Sequence, residues 1–102
     1  KYATIYSDIM RNMRRYLVFI HIGNNISVLS KEIIAIFDME IATTMRDSRR
    51  FLKMCDEEDF IENVMPQEMP KTIVITERNG RSRVYLSPIS AATIKKRFNM
   101  SY

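Results

Sequence analysis

A chain of 102 residues, 46% apolar and 27% charged, has the make-up of one folded domain with a modest core rather than of a disordered segment. Two glycines leave little material for a glycine-rich phosphate loop, and a single cysteine excludes an internal disulfide and points to a reducing, cytoplasmic setting. The net charge of +4 is unevenly spread. Residues 1–15 carry four basic against one acidic residue, residues 16–70 five against ten, and residues 71–97 seven against one, so the positive field sits at the two ends of the sequence and suits a polyanion.

Ile5, Ile9 and Met13 recur every fourth residue but have no firm cap, so residues 1–15 read as an N-terminal extension. On this reading the domain spans residues 16–98, residues 99–102 form a tail, and Met13 is an alternative start. Tyr16–Ile22 (YLVFIHI) is apolar on both faces and predicts a strand central to a sheet. It is far too short to span a bilayer and lacks a following cleavage pattern, so neither a membrane protein nor a secreted one is expected. Gly23-Asn24-Asn25 is a turn, and Ile26 and Val28 continue as the second strand of a hairpin. After the polar link Ser30-Lys31-Glu32, the run Ile33–Phe37 predicts a buried third strand.

Thr44 with Asp47 has capping-box spacing and predicts a helix running to about Asp59. Met45, Ser48, Leu52 and Cys55 form its buried stripe, Phe51 lies on the shoulder, and Arg46, Arg49, Arg50 and Lys53 lie outside. Phe60–Val64 is a short strand or extended exit, and Met65–Pro70, with two prolines, is a loop. Thr72–Thr76 is rich in β-branched residues, and Asn79-Gly80 predicts that it pairs antiparallel with Arg83–Leu86. Pro88 ends that strand. Ser90 then caps a short helix, with Ser87-Pro88 as a competing start, and Lys95, Lys96 and Arg97 load its last turn beside Ile94 and Phe98. The fold expected is α+β: a small, mostly antiparallel sheet with one central helix and a short C-terminal helix. Its two-faced apolar strands favour oligomerisation, since so few helices barely cover them.

Catalytic constellations are missing. His21 and Cys55 lie in different elements, and neither has metal-ligand company, so both read as structural. The carboxylates between Asp56 and Glu62 read as a solvated face, and there is no P-loop, dinucleotide fingerprint or nucleophile elbow. No enzyme activity, cofactor, metal or small-molecule substrate is expected. What remains is a basic set, Lys71, Arg78, Arg81, Arg83, Lys95, Lys96 and Arg97, whose chemistry suits DNA phosphates.

Three motifs sharpen this reading. His21-Ile22-Gly23-Asn24-Asn25, then Ile33-Ile34-Ala35-Ile36-Phe37-Asp38, then Val84-Tyr85-Leu86-Ser87-Pro88-Ile89-Ser90 with Ile94-Lys95-Lys96-Arg97 resemble the bacterial extracellular-matrix regulatory family, RemA and RemB, over roughly residues 16–98. The wording is closer to the RemB branch. The resemblance implies a cytoplasmic α+β regulator of transcription that binds duplex DNA, assembles into rings and, in the RemA branch, governs biofilm-matrix genes. The RemA branch carries an arginine pair for DNA in the loop before Thr72. Here that loop reads Pro66-Gln67-Glu68-Met69-Pro70 and leaves only Lys71, and Glu32 stands where that branch has a basic residue. DNA contacts therefore fall to the seven basic residues named above. The alternative is a protein-interaction partner of a DNA-binding paralogue, with no DNA binding of its own.

Overall fold

A computed structural model describes residues 18–100. The expected extension over residues 1–15, the first two residues of the YLVFIHI run and the last two residues of the tail lie outside the described residues. Strands β1 (Phe19–Gly23) and β2 (Ile26–Leu29) form an antiparallel hairpin. A 3-10 turn, Ser30–Glu32, leads into β3 (Ile33–Asp38), followed by α1 (Met39–Thr44), α2 (Arg46–Glu57), β4 (Ile61–Asn63), β5 (Thr72–Arg78), β6 (Arg81–Ser87) and α3 (Ala91–Asn99). The main sheet has the order β3-β5-β6-β4, antiparallel except where β4 runs parallel to β6. The chain is thus α+β, with a small and mostly antiparallel sheet.

Alternation along β5 and β6 sorts their side chains into two cores. Val74 and Tyr85 face one way, where Ile20, Ile22 and Val28 of the β1–β2 hairpin and Ile94 of α3 cover them. Ile73, Ile75, Val84 and Leu86 face the other way, against Ala42 of α1 and Leu52 and Cys55 of α2. The sheet is the middle of three layers.

Four expectations change. The β1 strand is not central: it belongs to a separate two-stranded sheet, with Ile20 and Ile22 buried but Phe19 and His21 exposed. A hairpin laid across a sheet has only one face to bury. The β3 strand is not buried but forms a sheet edge, with Ile34 59% and Phe37 49% exposed. The central helix is split. Asp38 caps an earlier start, accepting from the Glu40 N–H at 2.9 Å, so Thr44 ends α1 and donates to the Ile41 carbonyl at 2.7 Å instead of capping α2. Met45, extended between the two helices, breaks the 3.6-residue phase and is exposed, whereas Cys55 is buried as the stripe predicted. Burial pushes the Cys55 thiol above its ordinary range, which suits a neutral core residue.

The motifs at the two ends of the domain meet. Gly23, at φ +125°, sits beneath the corner at Pro88, and Asn24 and Asn79, at φ 53° and 51°, take the left-handed positions of their turns. Ser87 is fully buried. Its Oγ donates to the Ile22 carbonyl and accepts from the Ile89 N–H at 3.1 Å. Ser87 therefore fastens the corner to β1 and is not free to start the helix. Ser90 is the cap, its Oγ accepting from the Thr93 N–H at 3.2 Å.

Candidate nucleic-acid interface

The seven basic residues fall into three places. Lys71 precedes β5 at the end of the sheet nearest the corner. Its backbone N–H donates to Ser87 and its carbonyl accepts from Met39, so the side chain springs from a fixed backbone into solvent. Arg78, Arg81 and Arg83 occupy the opposite end. Arg78 and Arg81 are direct cross-strand partners on either side of the Asn79-Gly80 turn, and Arg83 stands two residues further along β6. Lys95, Lys96 and Arg97 project from α3, all exposed, while Ile94 between them and the cap is fully buried. No single surface gathers all seven, because Lys71 and the hairpin tip are separated by the length of β5, about 20 Å.

Their electrostatic states differ as well. Arg78 is tied to Glu32, with both Nε and Nη2 at 2.9 Å from the same Oε1. Arg83 lies 3.5 Å from Glu62, a looser ion pair. Both arginine side chains stay more than half exposed, so the pairs add at most about 1 kcal/mol to stability and chiefly fix direction. Arg97 donates from Nη1 to the His21 carbonyl at 2.8 Å, which holds its guanidinium in place without neutralising it. Among the described residues, no ion pair joins Lys71, Arg81, Lys95 or Lys96 to an acid.

Sequence reading missed the two acidic partners. Glu32 and Arg78 are 46 residues apart, and Glu62 and Arg83 meet only because β4 lies beside β6. His21 braces its own turn: Nε2 donates to the Asn24 carbonyl at 2.7 Å, which requires the Nε2-protonated form, as a carbonyl can only accept. Among the described residues, no group of three or more His, Cys, Asp or Glu side chains could hold a metal ion, and no helix is long and apolar enough to cross a membrane.

These features define a small α+β domain that presents ordered and free cations around a hairpin tip and a terminal helix. Residues 19–98 match the model of the RemA-like family, described as extracellular matrix regulatory protein A-like. The chain is also 34% identical over 82 residues to extracellular matrix regulatory protein B of Bacillus subtilis (strain 168), covering 78% of this chain and 89% of that protein. The chain belongs to the RemA-like family of extracellular matrix regulatory proteins, on its RemB side.

Proposed function

We propose that this chain is a non-catalytic transcriptional regulator of extracellular-matrix (biofilm) genes. It works in the cytoplasm as a homo-oligomeric ring that holds duplex DNA through repeated basic patches. The observation that carries this reading is the exposed, acid-free pair Lys95–Lys96, carried on a helix whose buried Ile94 docks it firmly beside the anchored Arg97. Phosphate contacts of this kind need clustered cations on a rigid element rather than a catalytic constellation.

Oligomerisation is supported by the side of the domain built from β3, α1 and α2. Ile34, Phe37, Ile41, Met45, Phe51 and Met54 are all between 39% and 63% exposed there. Among the described residues, no strand pairs with the outer edge of β3. An unpaired edge beside exposed apolar side chains is unfavourable in a monomer and is relieved when copies associate. Repetition then turns a weak basic patch into a strong one by avidity.

The same apolar side, and the partial neutralisation of Arg78 and Arg83 by Glu32 and Glu62, also favour a second reading, assembly with a DNA-binding paralogue. The experiment that separates the two is a DNA-binding series across salt with Lys95→Ala/Lys96→Ala. Each lost phosphate contact should flatten the slope of log K against log salt by about 0.9, so the double variant should lose up to about 1.8 per protomer with its fold intact. An unchanged slope would remove this helix from the DNA interface.

A further inference from the structure

The hairpin-tip arginines do more than decorate a surface, because they line one wall of a cavity. Arg78, Arg81 and Arg83 share the face of β5–β6 that carries Tyr85. With Phe19 of β1 and Glu32 of the 3-10 turn they enclose a concavity of about 310 Å³ between the two hairpins. That volume is at the small end of ligand pockets. It is large enough for a small molecule.

The wall is electrostatically incomplete. Like charges directly opposite on a hairpin repel, and Arg78 and Arg81 are such a pair. Glu32 offsets one of them and also orients it, since both Nε and Nη2 of Arg78 bind one carboxylate oxygen and its remaining N–H groups stay available. Arg81 has no acidic partner among the described residues. An anionic oxygen group between these guanidinium planes would complete the set with charge-assisted hydrogen bonds. The other lining residues are of a different kind. Phe19 is 62% exposed, Tyr85 is half-buried, and Ser27 and Thr76 also line the cavity. An exposed aromatic ring next to arginines suits the flat face of a nucleobase.

We propose that this cavity binds a free mononucleotide, its phosphate on Arg78, Arg81 and Arg83 and its base against Phe19 and Tyr85. The site is separate from the Lys95–Lys96 surface and does not depend on whether the chain binds DNA. The carboxylates of Glu32 and Glu62 beside the arginines disfavour a polyphosphate backbone there and tolerate a ligand of low charge.

Calorimetric titration of the full chain, without DNA, tests the proposal, with AMP, GMP, CMP, UMP and inorganic phosphate as probes. At least one nucleotide should bind about tenfold or more tightly than phosphate. Arg81→Ala, at an exposed position, should weaken nucleotide binding about tenfold or more, as expected for loss of a charged hydrogen-bond donor. Phe19→Ala should weaken the nucleotide and leave phosphate unchanged. The proposal is overturned if no nucleotide binds at about 5 mM. It is equally overturned if all nucleotides match bare phosphate, or if Arg81→Ala binds like the parent chain.

Discussion

Gly23→Ala is expected to destabilise the domain by about 2–5 kcal/mol, combining backbone strain with overpacking. At φ +125° the backbone lies in a region that side-chain-bearing residues rarely adopt. An added Cβ would also meet Pro88 Cδ at 3.0 Å and Val64 Cγ1 at 3.2 Å. Neither neighbour can give way cheaply: the proline ring is rigid and Val64 is 2% exposed in the core. Next door, the buried Ser87 hydroxyl holds the Ile22 carbonyl, so any shift of β1 away from the corner also breaks that hydrogen bond. Urea unfolding should show a lower midpoint with an unchanged m-value. A loss below about 0.5 kcal/mol, the range of a neutral surface change, would mean that the turn relaxes and that the contact between the Gly-Asn-Asn turn and the Ser-Pro corner is not a structural requirement.

The second large effect is at Ile94. Its side chain is wholly buried among Ile20, Ile22, Val28, Val64 and Val74, where the hairpin, the sheet and α3 converge. Ile94→Ala should cost about 2–5 kcal/mol and Ile94→Val about 1 kcal/mol, a graded series that reports cavity formation rather than a general loss of helix. If Lys95 and Lys96 hold DNA as proposed, the alanine variant should also lower DNA affinity at temperatures where the domain is still folded, because Ile94 docks the helix that carries them. An alanine variant with wild-type stability would show that α3 is not docked as described.

Much of this architecture was legible because it is written locally. Asn79-Gly80 specifies a hairpin by its left-handed backbone, β-branched residues mark β5, and Ser90 caps α3 through its own hydroxyl three residues ahead. What escaped was decided by distant partners. The apolar run in β3 looks like a buried strand, and only its place at the sheet edge exposes Ile34 and Phe37. The YLVFIHI run likewise cannot reveal that it lies across a sheet rather than inside one. The Asp38 cap is masked in the sequence by Thr44 and Asp47, which present the more familiar spacing.

The basic residues show the same division. Their types and exposure followed from the sequence, but their grouping did not. Strand pairing brings Glu32 to Arg78 and Glu62 to Arg83, converting two of the seven cations into oriented, partly neutralised groups. Glu32, a departure from the RemA-branch pattern, has a structural counterpart in Arg78, which it holds. The cavity above Arg81 is a consequence of how two hairpins pack, and no spacing in the chain announces it.

The central claim is that this regulator is an oligomer that binds duplex DNA through exposed cations. Its most direct test is fluorescence anisotropy with duplex DNA across a salt series, paired with native mass measurement on the same samples. The account predicts a stable assembly of several copies whose affinity falls steeply with salt, by about 0.9 in log K per contacted phosphate for each tenfold rise. A stable assembly that retains no DNA even at about 20 mM salt, where the Debye length exceeds 20 Å, would contradict it.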